Sequence, residues 1–164
     1  MISVRSYRDF GIEEEVKLEP NIFMAMCYNL MVTPSVDLFA SAKHHQLSRY
    51  FTIDEQDSKA LGYNAFAFVW SPDICLYANQ PWSIIAHVLV KASRERARLM
   101  LVTPQWPETP WYHLLKEFTV RSEEWSGRIY LDERGRLRPR PKWITLFSYV
   151  VGRPLNGVLR RFSI

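Results

Sequence analysis

The 164-residue chain has little cysteine: Cys27 and Cys75 are the only two. That count excludes a disulfide scaffold, and no Cys/His spacing suits a zinc site. Both thiols sit among apolar neighbours and are expected to be buried and reduced. Glycine is scarce too, with six residues and none between Gly11 and Gly62. Loops that cradle phosphates need glycine where the backbone closes on the anion, so a P-loop and a G-x-G-x-x-G turn are excluded. No nucleophile elbow and no paired-carboxylate motif is present. No apolar run approaches the ~20 residues of a membrane span. The first ten residues lack the apolar core of a signal peptide, so an intracellular place, nuclear or cytoplasmic, is expected.

What the chain does hold is aromatic and apolar. Aromatic residues make up 14 % and apolar residues 48 %, which excludes an intrinsically disordered chain and supplies a core for one domain. Charge is divided unevenly. The overall +4 conceals a body of net −3 over residues 1–127 and a tail of net +7 over residues 128–164. In that tail Arg134, Arg136, Arg138 and Arg140 alternate, Pro139 and Pro141 keep the chain extended, and Lys142 follows. Such a strip suits an anionic partner, nucleic acid first and an acidic protein surface second. A solvated extension without a partner is the alternative.

Periodicity predicts the elements. Pro20 opens a helix whose stripe is Ile22, Phe23, Met26 and Leu30, with Pro34 expected to end it. Residues 35–40 read as a short buried strand. Residues 64–70 alternate and suit a strand or an ordered loop, and residues 74–78 form a further strand. Ser83 is then expected to cap a helix running to about Arg98, with Ile84, Ile85, Val88, Leu89 and Ala92 inward and Lys91, Arg94, Glu95 and Arg98 outward. Residues 99–104 are apolar on both faces, as central parallel strands are. A helix over 111–118 and a weak strand over 129–131 follow. This order predicts an α/β fold, a small Rossmann-like sheet with helices on both faces. The expected divisions are an N-terminal extension over 1–19, an α/β domain over 20–127 and a basic Arg/Pro-rich extension over 128–164.

In open α/β sheets, ligands sit beyond the carboxyl ends of the strands. Asp37, expected at one such end, suits the amino or hydroxyl groups of a nucleoside-containing cofactor, or it anchors the turn. Asn79-Gln80-Pro81-Trp82, expected at another, joins an amide, a proline and an aromatic ring. An amide oxygen accepts from an exocyclic amine and aims its lone pair, and the ring stacks on a flipped base. An ordinary strand-to-helix turn is the alternative. Trp70, Trp82, Trp106, Trp111 and Tyr112 suit either base stacking or core packing. His44 and His45 are adjacent and diverge on any regular element, while His87 and His113 stand alone.

Together these segments resemble a known pattern. Residues 15–23, Pro34-Ser35-Val36-Asp37-Leu38-Phe39-Ala40-Ser41, His45 to Tyr50, Asn64-Ala65-Phe66 with Trp70, Leu76-Tyr77-Ala78, Pro81-Trp82-Ser83-Ile84-Ile85, Val88 to Lys91 and residues 103–112 carry it. The order and spacing, over roughly residues 14–142, resemble the region that follows RNase H in polyproteins of DIRS-type tyrosine-recombinase retrotransposons. That region is in turn similar to phage-type DNA N6-adenine methyltransferases. The resemblance implies a methyltransferase-type sheet, S-adenosylmethionine as ancestral cofactor and adenine in DNA as ancestral substrate. Asp37 matches the cofactor-binding aspartate, and Asn79, Pro81 and Trp82 match three positions of the catalytic loop. Three positions depart: Gln80 replaces the loop's first proline, His44 an asparagine and Asn64 an aspartate. The expectation is a degenerate, non-catalytic domain that binds nucleic acid or assembles into a larger protein or ribonucleoprotein complex. The alternative is an active S-adenosylmethionine-dependent enzyme.

Overall fold

A computed structural model describes residues 17–125, 128–131, 136–139 and 146–152. Among the described residues, ten strands and three helices follow one another as β1 (Lys17–Leu18), α1 (Pro20–Leu30), β2 (Val36–Ala40), β3 (Tyr50–Thr52), β4 (Gly62–Tyr63), β5 (Cys75–Ala78), α2 (Ile85–Glu95), β6 (Arg98–Pro104), α3 (Trp111–Phe118), β7 (Thr119–Trp125), β8 (Arg128–Leu131), β9 (Leu137–Pro139) and β10 (Leu146–Val151). Seven strands form the main sheet in the order β4-β3-β2-β5-β6-β10-β7. The first five of that order are mutually parallel. β10 runs antiparallel to both of its neighbours. From β2 the chain steps outward to β3 and β4, then returns to the other side of β2 with β5. The β2–β5 boundary is therefore the switch point of a Rossmann-like α/β sheet. A second, antiparallel sheet has the order β1-β8-β9.

Alternation along β5 and β6 divides the core between the two faces. Leu76, Ala78, Leu99 and Leu101 pack on the side of α2 and α3, where Ile85, Val88, Leu89 and Leu115 are buried. Tyr77, Met100 and Val102 pack on the opposite side against Phe23, Met26 and Leu30 of α1. The Phe23 ring meets Tyr77 edge-on at 4.8 Å. Helices thus cover both faces, and each fully buried leucine there stabilises the fold by roughly 1.5–3 kcal/mol.

Local sequence explains the helix ends. Glu19 caps α1 by accepting from the Ile22 N–H at 3.1 Å, with Pro20 in the first turn. The helix stops before Pro34, at Met31, which takes a left-handed conformation with φ 55°. Ser83 does not cap α2: it lies inside a 3-10 turn over Trp82–Ile84, and α2 begins without a side-chain cap. Residues 65–67 form another 3-10 turn rather than a strand. Cys27 and Cys75 are free and half-buried. Burial, then the nearby Cys75, pushes the Cys27 thiol up to about 11.

The compositional boundary at residue 128 is not a structural one. β10 lies within the main sheet between β6 and β7, pairing from Leu146↔Pro104 to Val151↔Leu99. Residues 146–151 therefore belong to the α/β body and not to an extension. The N-terminal boundary shifts as well, since Leu18 in β1 is fully buried and Glu19 caps α1. Residues 1–16 and 153–164 lie outside the described residues. A chain ending at residue 145 loses a strand hydrogen-bonded on both sides. We expect it to show no cooperative urea transition by near-ultraviolet circular dichroism, whereas a dispensable extension would leave that transition in place.

Candidate functional site

Of the residues that the sequence singled out, Asn79, Gln80, Pro81, Trp82 and Trp106 lie beyond the carboxyl ends of β5 and β6. Asn79 and Gln80 leave β5 directly and are only 3 % and 2 % exposed. The Gln80 Nε2 donates to the Val102 carbonyl of β6 at 3.2 Å. That contact fixes the loop to the neighbouring strand. Pro81 is buried and starts the 3-10 turn, whose Ile84 N–H donates to the Pro81 carbonyl at 3.1 Å. Thr103, near the end of β6, is fully buried. Among the described residues, Asn79 Nδ2, Gln80 Oε1 and Thr103 Oγ1 have no hydrogen-bond partner. Buried polar atoms of this kind sit next to water or a ligand in most folded proteins.

Trp82 is half-buried and packs edge-on against Trp106 at 5.3 Å. Trp106 meets Trp111 at 6.5 Å, and Trp111 meets Tyr112 at 6.3 Å. These four rings knit together the loops that follow β5 and β6. Trp70 lies elsewhere, fully buried, with its indole N–H donating to the Ala65 carbonyl at 3.0 Å.

Asp37 is the second residue of β2, not a residue at its end, and it is fully buried. One carboxylate oxygen accepts from the Phe39 N–H at 3.3 Å and the other from the Gln46 N–H at 3.0 Å. The Gln46 side chain donates in turn to the Leu18 carbonyl. Asp37 therefore ties β2, the loop after it and β1 together. Between β2 and Gln46 the chain makes a tight turn, in which Ser41 and His44 exchange backbone hydrogen bonds. His44 is buried, and the His45 ring stacks on Tyr50 at 4.5 Å. Among the described residues, no three His, Cys, Asp or Glu side chains converge as metal ligands.

The basic strip is only partly described. Arg136 is exposed. Arg138 lies in β9 opposite Tyr130 of β8, so this stretch is extended because it is a paired strand. Arg134, Arg140 and Lys142 lie outside the described residues. No protein-family model matches this chain, and no curated protein matches it.

Thr103 and Gln46 escaped sequence reasoning. Thr103 is a lone hydroxyl in an apolar run before Pro104, which was a usable signal. Gln46 lies in an irregular stretch with no periodicity, and the resemblance that spans it assigns it no role. Replacing Asp37 by Asn keeps one acceptor and turns an amide donor toward a backbone N–H. We expect Asp37→Asn to cost about 1–3 kcal/mol in urea unfolding.

Proposed function

We propose that this chain is a degenerate methyltransferase-like domain of retroelement type that serves as a non-catalytic module for binding nucleic acid or assembling a complex. The observation that carries this reading is the closure of the Asn79–Trp82 loop. A working catalytic loop has to present its amide to a flipped base. Here the Gln80 carboxamide is bonded to the Val102 carbonyl, Asn79 is buried beside it, and Trp82 is packed on Trp106. The proline that Gln80 replaces has no N–H and no side-chain donor, so it could not make this bond. Support also comes from the sheet, whose five parallel strands reverse direction of winding at the β2–β5 boundary, as in a Rossmann-like fold.

Two features of the residues present argue against S-adenosylmethionine as a cofactor. Asp37 is fully buried, and each of its carboxylate oxygens accepts from a backbone amide of the domain, so the side chain serves the fold's interior. No glycine lies between residues 35 and 48 to let a cofactor approach the backbone. A second reading, an active DNA N6-adenine methyltransferase, is favoured by one observation: the place of Asn79 directly after a central parallel strand, at its carboxyl end. Isothermal titration of the full chain with S-adenosylmethionine separates the two. We expect no heat of binding at high protein concentration, and a saturable heat would overturn the non-catalytic reading.

For the nucleic-acid partner, the Arg/Pro strip is the proposed contact. Deleting residues 128–164 is an unsuitable test, since it removes β10 from the sheet. Replacing Arg134, Arg136, Arg138, Arg140 and Lys142 together by Gln preserves the backbone. Binding to a labelled DNA or RNA oligonucleotide should then weaken at least ~10-fold. The slope of log affinity against log salt should become shallower by about 0.9 for each duplex phosphate no longer neutralised. Unchanged affinity and slope would remove the strip from the proposal.

A further inference from the structure

On the face of α2 that points away from the sheet, a groove runs between the helix and the 3-10 turn over residues 65–67. It is lined by Phe66, His87, Val90, Lys91, Arg94 and Glu95 and has a volume of about 590 Å³. It lies apart from the Asn79–Trp82 loop and shares no residue with it. We infer that this groove docks an acidic, apolar segment of a partner protein. The inference rests on, and extends, the assembly side of the proposed function.

Shape and stiffness come first. His87, Val90, Lys91 and Arg94 recur at i, i+3, i+4 and i+7, so one helix face presents them all. The opposite wall is held in place: the Phe66 ring packs against Phe39 at 5.6 Å and Trp70 at 5.8 Å. Lys91 is fixed twice, by its ion pair with Glu95 at 2.7 Å and by its place 5.3 Å from the Trp70 ring centre. Glu95 is anchored further by accepting from the Trp70 N–H at 3.4 Å. A wall that needs no reordering costs little entropy on binding.

Charge then selects the partner. Lys91 and Glu95 satisfy each other, whereas Arg94 is exposed and has no ion-pair partner among the described residues. Arg94 thus leaves the groove with a cation that no carboxylate answers among the described residues, and a carboxylate is its complementary group. Its floor favours a protein segment over a phosphate backbone. Phe66 is apolar, and Val90 is 39 % exposed on the helix face beside it. A nucleic acid would track a row of cations, whereas this groove sets Arg94 beside an apolar wall.

The test uses the full chain and a fluorescein-labelled peptide that alternates Glu with Leu around one Phe, followed by anisotropy. Saturable binding is expected. Arg94→Glu should weaken it at least ~10-fold through charge reversal, and Val90→Glu should weaken it similarly by repelling the peptide carboxylates from the floor. Both positions are exposed, so the far-ultraviolet circular dichroism and the melting temperature should stay unchanged. A peptide with Lys in place of Glu should not bind. The protein neutralised at its five basic-strip positions should bind the acidic peptide as the parent does, which keeps this site separate from the nucleic-acid contact. Equal binding by Arg94→Glu, or displacement of the peptide by an unlabelled oligodeoxythymidylate, would overturn the inference. Neither outcome depends on the titration with S-adenosylmethionine, so the two proposals fail separately.

Discussion

The parallel pairing of β5 with β6 is the constraint on which the rest of this structure depends. Four register pairs, from Cys75↔Arg98 to Ala78↔Leu101, hold the two strands at the middle of the sheet. Both faces are covered by helices, so side chains pointing either way have to be apolar. The first polar positions allowed are those where the strands run out: Asn79 and Gln80 on one, Thr103 on the other. Their polar atoms sit at the rim of the core, where a bond to a neighbouring backbone is worth more than in water. The Gln80–Val102 contact exploits that rim.

The same geometry underlies the function proposed. A loop between two buried strands is positioned by the strands, whatever its own sequence. Gln80 decides what this loop does within that frame. The carboxamide reaches the adjacent strand and closes the loop onto the core. Asp37 makes a comparable commitment, with both carboxylate oxygens engaged by the Phe39 and Gln46 amides. Polar groups at the switch point thus hold the fold together. Under the proposed function, binding has moved to the outside: the Arg/Pro strip and the groove along α2.

Much of the frame was legible in the sequence. The stripe of Phe23, Met26 and Leu30 marked α1, and that of Ile85, Val88, Leu89 and Ala92 marked α2, because a helix repeats its contacts every three to four residues. The run over 99–104 announced a central strand by being apolar on both sides. Boundaries were less legible. Met31 ends α1 through its backbone conformation, and the turn over Trp82–Ile84 displaced the expected Ser83 cap; neither choice has a local compositional mark. Of the candidate site, the Asn79–Trp82 loop was readable as residues but not as a closed loop, since its closure needs a carbonyl 22 residues away.

By itself, then, the sequence determined the α/β class, the central strands, the helix faces and the division of charge, all of which follow from short-range periodicity and composition. Tertiary structure alone decided the place of β10. A strand in an Arg-rich tail reads as an extension, yet its backbone pairs with β6 and β7, and hydrogen bonds between strands carry no sequence signature of their partner. Tertiary structure also decided that Asp37 and Gln80 face backbone donors and acceptors from other segments. Those partners lie 9 and 22 residues away, beyond the reach of any local pattern.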